Sequence, residues 1–250
     1  MSHPFNLIEL DTVESTNNYA AKGIKESTIS GFDVIMAYNQ TNGRGQRGNT
    51  WQTAANENLT CSIVLDFEFM KLPELFDVNR LISLSIVRML NELNAETESL
   101  IKWPNDILIY GRKLSGILID ILVSGKKKML IIGVGLNVNQ SHFEGLPNAV
   151  SMKQVYGKSF ELKFVLEHLL SCFDVEWQNY QRNGVESLRN AYNNKLMGLG
   201  QKWQFEIADE VQTAEVLAVN EQGELLLSAL PNKDIKIFNP KELKWLKPML

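Results

Sequence analysis

Cysteine and histidine are scarce in this 250-residue sequence, with two of the first and three of the second. Cys61 and Cys172 each stand among apolar neighbours. They read as reduced core residues of a cytoplasmic protein and exclude a disulfide scaffold. Scattered histidines without paired-cysteine spacing argue against a zinc site. Long apolar runs are missing too. The longest, such as Ile131–Val138, are strand-sized and contain glycine, far below the roughly 20 residues that cross a bilayer. Met1-Ser2-His3-Pro4-Phe5 has no basic region followed by an apolar core, so no secretory signal is expected. Basic residues are not in excess: the formal charge is −4, which excludes a broad nucleic-acid-binding surface.

What is present is an ordinary globular composition, 44% hydrophobic and 22% charged, enough for one sizeable domain and a small second one. Phe5–Leu10 reads as a strand, followed by a helix capped by Ser15 or Thr16. Asp33–Asn39 and Leu59–Phe67 read as strands flanking the polar stretch Gln40–Asn58. Between Pro73 and Leu93, Leu75, Val78, Leu81, Ile82, Ile86, Val87 and Leu90 recur at helical spacing. Four strands are expected at Leu100–Trp103, Ile107–Tyr110, Leu114–Val123 and Lys128–Val138, the last two joined by a turn at Ser124–Lys127. Phe160–Tyr180 and Val185–Leu196 return to helical spacing. At Gly198-Leu199-Gly200 the pattern shifts to short β-like runs: Lys202–Ala208, Thr213–Val219, Glu224–Ser228 and Asp234–Phe238. Residues 1–197 therefore read as an α+β domain, and 198–250 as a small appended barrel.

Two segments carry chemistry. The first is Gly43-Arg44-Gly45-Gln46-Arg47-Gly48-Asn49-Thr50-Trp51, with three glycines in six residues. Glycine lets backbone amides approach and cradle an anion, and arginine adds forked donors for carboxylate or phosphate. A solvated hairpin tip is the bland alternative. A P-loop is excluded because no Gly-Lys-Ser/Thr follows. The spacing fits a dinucleotide fingerprint, but that motif needs a helix to open at its last glycines, and Asn49–Asn58 has no apolar helical face. The second segment is Lys102-Trp103-Pro104-Asn105-Asp106, followed by Arg112-Lys113-Leu114-Ser115-Gly116. Proline ends a strand and leaves Asn105 and Asp106 at its tip. Lys102 is suited to phosphate, and Asp106 to magnesium or to a proton from an amine. Lys113, entering an apolar strand, is the more conspicuous lysine, although a plain turn with surface charges is the alternative.

Taken in order, Glu14-Ser15-Thr16-Asn17, Gln40 with Gly43–Trp51, Lys102–Asp106, Arg112–Gly116 and Gly133-Val134-Gly135-Leu136-Asn137 resemble the motifs of biotin–protein ligases. The resemblance implies a mixed central sheet flanked by helices, the class II synthetase-like biotin–lipoate ligase fold, with an SH3-like C-terminal barrel. It implies ATP and biotin as substrates with Mg²⁺, and a carboxylase's biotin carrier domain as acceptor. By resemblance, Ser15, Thr16, Asn17, Gln40, Arg44, Gly45, Gln46, Lys113, Gly116 and Gly135 would meet biotin. Arg44, Arg47, Trp51, Lys102, Asn105 and Asn137 would meet ATP, with Trp51 closing over the adenylate. Arg44, Lys102, Asp106 and Lys113 would be catalytic, and Asp106 would hold the metal. Some relatives carry arginine where Gln46 stands, so this loop is less cationic. The motifs begin by Asp11, so no DNA-binding domain and no DNA partner are expected. A homodimer is compatible with the sequence, and a membrane partner is not. Lipoate ligation and a non-catalytic adenylate sensor are the rival readings.

Overall fold

The computed structural model describes residues 5–124 and 127–249. Seven strands form the larger sheet: β1 (Asn6–Val13), β2 (Asp33–Gln40), β3 (Leu59–Asp66), β4 (Ser99–Lys102), β5 (Asp106–Ile109), β6 (Arg112–Ser124) and β7 (Lys127–Leu136). Their order is β1-β2-β3-β7-β6-β5-β4. β1 and β2 run parallel and the remaining pairs are antiparallel, so the sheet is mixed, as expected. β6 and β7 pair from Ser115↔Leu136 to Ser124↔Lys127, while the expected turn residues Gly125 and Lys126 lie outside the described residues.

Period-two alternation buries both faces of this sheet. On β2, Val34 and Met36 face one core and Ile35 the other. The smaller core belongs to α1 (Thr16–Lys25), whose Ala20 and Ile24 meet Val64, Met129 and Ile131. Ser15 caps that helix, and Lys22 and Lys25 in its last turn complement the dipole. The larger core lies beneath α3 (Leu75–Leu93) and α5 (Leu162–Asn194). The expected break between two helices survives as a kink in α5 at Gly184, with φ +78°. Two short helices, α2 (Phe67–Met70) and α4 (Met152–Tyr156), were not expected. A single turn carries too little periodicity to register.

The smaller sheet has five antiparallel strands, one more than the sequence reading found: β8 (Lys202–Ile207), β9 (Glu210–Val219), β10 (Leu225–Ala229), β11 (Asp234–Phe238) and β12 (Leu243–Pro248). Their order is β11-β10-β9-β8-β12. Its interior residues Phe205, Val216, Leu225 and Leu227 join the larger core, so the two sheets share one apolar interior.

A buried ionic cluster fixes the turn between β9 and β10 to the helices. Asp77 accepts from Arg80 Nη1 at 2.6 Å and from Arg189 Nε and Nη2, both at 3.2 Å. Arg80 also donates to the carbonyls of Asn220 and Glu221 and lies over the Phe76 ring, 4.7 Å from its centroid. Burial pulls its guanidinium below the ordinary arginine range, with Asp77 opposing. Removing the one carboxylate leaves the enclosed Arg80 without a counter-charge and Arg189 with only the exposed Glu186 and Glu221, a loss of about 3–5 kcal/mol. Asp77→Ala is expected to lower unfolding stability by that amount in urea titrations, and a shift below ~1 kcal/mol refutes the cluster's role.

Candidate active site

A cleft of about 920 Å³ opens between the two sheets. Its closed end is the N-terminus of α1, where Ser15, Thr16 and Asn17 are all buried. Such a polar trio persists in an interior only with partners, and each partner is present. The Thr16 amide and hydroxyl both donate to Gln40 Oε1, at 2.8 and 3.2 Å. Ser62 Oγ lies 2.7 Å from Thr16 Oγ1 and 2.6 Å from Asn17 Oδ1. Asn17 Nδ2 donates to Asp120 Oδ2 at 3.0 Å.

The glycine–arginine loop folds across the mouth. Arg44 and Thr50 form a β-bridge around a 3₁₀ turn at Gln46–Gly48. The Trp51 amide donates to Gly43 O at 2.9 Å. Gly48 has φ +81° and Gly43 has no room for a side chain, since a Cβ there would lie 2.5 Å from Trp51 O. Arg44 Nη1 donates to Asp120 Oδ2 and to Asn18 Oδ1, each at 3.0 Å. The indole of Trp51 covers the glycine pair Gly116↔Gly135 on β6 and β7. A Cβ on Gly135 would lie 2.3 Å from Trp51 Cε2, and one on Gly116 3.1 Å from Cζ3. Trp51 Nε1 is enclosed without a hydrogen-bond partner among the described residues. The Arg47 side chain lies outside what is described.

Lys102 ends β4 and Asp106 opens β5, with Trp103-Pro104-Asn105 turning between them. Trp103 is buried and donates from Nε1 to Gly223 O at 2.8 Å, so the β9–β10 turn props this segment. Pro104 O accepts from Asn79 Nδ2 at 2.9 Å. Asn105 Nδ2 donates to Ile117 O at 2.8 Å. Lys113 Nζ rests 2.7 Å from Asp106 Oδ1 and 5.6 Å from the Trp51 ring centroid.

Ser15, Thr16, Asn17, Gln40, Arg44, Gly45, Gln46, Trp51, Lys102, Asn105, Asp106, Lys113, Gly116 and Gly135 therefore share one cavity. Asn137 does not line it: it is buried, and its Nδ2 donates to Val150 O at 3.0 Å and Lys113 O at 3.5 Å, so it supports the backbone that carries Lys113. Sequence reasoning missed Asp120 and Ser62, which seat Arg44 and Asn17. A lone carboxylate inside the apolar run Leu114–Val123 was the available signal. It also missed the wall contributed by the smaller sheet, including Glu206, Asp209, Lys241, Lys244 and Trp245. Trp245 packs against Trp203 and Phe205, as expected of a packing residue, while also facing the cleft. Cys61 lines the cavity as well, but burial pushes its thiol up to about 12, so it is no nucleophile at neutral pH.

Two cations held on carboxylates face one cleft with polar groups at the N-terminus of α1, a donor set chemically suited to adjoining acidic groups. The Biotin/lipoate A/B protein ligase family matches residues 9–137, more than half of the chain, and the protein belongs to that family. It is 27% identical to the biotin protein ligase of Aquifex aeolicus solved with biotin and ATP, with a TM-score of 0.79 over 97% of this chain and 99% of that one. It is 28% identical to the bifunctional ligase/repressor BirA of Bacillus subtilis, over 92% of this chain and 71% of the relative. Identity to the biotin–[acetyl-CoA-carboxylase] ligase of Mycobacterium tuberculosis is 26%, over 88% and 83% of the two chains.

The floor beside α1 admits no side chain at Gly133, where a Cβ would lie 2.4 Å from Asn17 Oδ1. Gly133→Ala is expected to break the Asn17–Ser62 contact and cost about 1–3 kcal/mol. An unchanged urea midpoint removes that contact from the account.

Proposed function

We propose that this protein joins biotin to ATP as biotinyl-5′-AMP and passes the biotinyl group to a lysine of an acceptor protein, a biotin carboxyl carrier domain by chemical class. The observation that carries this reading is that Arg44 and Lys113, from separated stretches of sequence, face one cleft ending at Ser15, Thr16 and Gln40. A biotin carboxylate and the α-phosphate of ATP repel each other, and fixed cations between them lower that cost in the transition state. A carboxylate oxygen attacks the α-phosphorus and pyrophosphate leaves. The acceptor amine then attacks the acyl carbon, AMP leaves, and the amine proton passes to a base, a role we assign to Asp106. The hydroxyls of Ser15 and Thr16 and the amide of Gln40 match the donors and acceptors of a ureido ring. A site that pairs those groups disfavours lipoate, which lacks them, by roughly 10⁴–10⁵-fold.

Lys102 and Asn105 would meet ATP phosphates, and Trp51 would cover the adenylate and exclude water. Magnesium prefers one or two carboxylates beside substrate phosphates. Asp106 suits that role once Lys113 leaves it for the phosphate. We place the boundary between the ligase unit and the barrel at residues 197 and 198. No helix among the described residues is long and apolar enough to cross a membrane.

Incorporation of labelled biotin into a carrier domain tests the reading. Labelling by lipoate instead, or binding without transfer, overturns it. Lys113→Ala is expected to depress biotin-dependent pyrophosphate exchange by about 10²–10³-fold, whereas exchange at the parent rate removes Lys113 from the chemistry. Arg44→Gly, which frees Asp120 and Asn18, is expected to release adenylate so that bystander lysines become labelled. An unchanged lifetime of the enzyme-held adenylate refutes that assignment.

A further inference from the structure

Away from the cleft, α3 and α5 bring together three side chains that the sequence scatters. Glu92 stands in the last turn of α3, and His168 and Cys172 stand one turn apart on α5. His168 Nε2 lies 2.8 Å from Glu92 Oε2, and Cys172 Sγ lies 3.5 Å from the same oxygen. All three ligand atoms fall within 4.8 Å of one another. None of the three residues lines the catalytic cavity.

We propose that Glu92, His168 and Cys172 form a binding site for a zinc-type divalent transition-metal ion. Zinc bonds of about 2.0 Å to nitrogen or oxygen and 2.3 Å to sulfur set tetrahedral ligand atoms roughly 3.3–3.8 Å apart. The 3.5 Å between Cys172 Sγ and Glu92 Oε2 already fits that spacing. His168 and Glu92 must part slightly from 2.8 Å, and the imidazole and sulfur, within 4.8 Å of each other, must settle into the same range. Positions i and i+4 on one helix face place imidazole and thiol side by side, and the neighbouring helix supplies the third ligand. Arg88 lies 3.7 Å from Glu92 Oε1 and holds Glu176 Oε1 at 2.5 Å. It therefore engages the far oxygen of Glu92 and leaves Oε2 for the ion, while Glu176 offsets its charge. On binding, the thiol proton leaves to solvent, the sulfur bonds the metal, and water takes the fourth position. Glu92 is half-exposed and His168 partly so, which gives an ion a path from solvent to the buried sulfur. A thiolate–imidazole pair selects against magnesium, so the magnesium that accompanies ATP does not compete. The ion would pin the end of α3 to α5 and stabilise the helical layer.

The test uses the full chain, first stripped with chelator and then titrated with Co²⁺ as a spectroscopic substitute. One equivalent is expected to give thiolate-to-metal charge-transfer absorption together with the strong visible bands of tetrahedral cobalt. Cys172→Ser is expected to abolish the charge-transfer band, and His168→Ala to weaken binding at least tenfold. Zn²⁺ is expected to raise the melting temperature of the parent by several degrees and that of His168→Ala by much less. His168 is partly exposed, so its alanine variant should fold and keep full biotin transfer. No charge-transfer band, or the same band in Cys172→Ser, overturns the proposal.

Discussion

The active cleft rests on the way it stores positive charge before any substrate arrives. Arg44 and Lys113 line one cavity, where unpaired they would repel each other and lose hydration. Each is instead held by a carboxylate carried on the sheet: Arg44 on Asp120 of β6, and Lys113 on Asp106 of β5. Both pairs are partly open to water, so neither adds much to stability. Weakness suits the purpose. Under the proposed function, a carboxylate or phosphate entering the cleft would replace a partner that was only loosely held. Strand pairing sets the geometry, since Asp106 lies opposite Gly116 and Lys113 opposite Leu108.

The rest of the molecule keeps those strands and loops in register. Trp103 reaches the β9–β10 turn through Gly223 O, and Arg80 reaches the same turn through Asn220 and Glu221. One turn of the smaller sheet thus touches both the buried ionic cluster and the segment bearing Lys102, Asn105 and Asp106. The smaller sheet consequently takes part in the cleft twice over, as one of its walls and as a prop behind the Lys102–Asp106 segment. A deformation of that turn reaches the chemistry without altering any residue that contacts substrate.

How much of this was legible in the sequence follows from which signals are local. Alternation and helical spacing marked every long element, because period and burial are coupled along the chain. β12 escaped because Leu243–Pro248 is short and ends in proline, and α4 because five residues make barely one turn. The two motif segments disclosed the cations, since glycine beside arginine and proline beside asparagine and aspartate have few purely structural uses. Asp120 was hidden by its place in a strand that otherwise reads as core, and its partners lie 76 and 103 residues away. Asn137 sits within a recognisable motif, yet it lies one residue past the end of β7, where its buried amide bonds the carbonyls of Lys113 and Val150 instead of lining the cleft. The Glu92–His168–Cys172 cluster, at odds with the expectation that no zinc-type donor set would form, was invisible for the same reason as Asp120: sequence spacing records only the His168–Cys172 half of it.

The glycines of β6 and β7 join these levels. At 116 and 135 they face each other across the ladder, and Trp51 lies over both, so the floor is bare backbone beneath an aromatic cover. Any side chain at 135 would evict the indole. The indole N–H has no partner among the described residues, so apolar contact with that bare backbone, rather than hydrogen bonding, holds the cover in place. Under the proposed function, adjoining anionic groups received by the parked Arg44 and Lys113 would lie beneath that same cover, since all three side chains line one cavity.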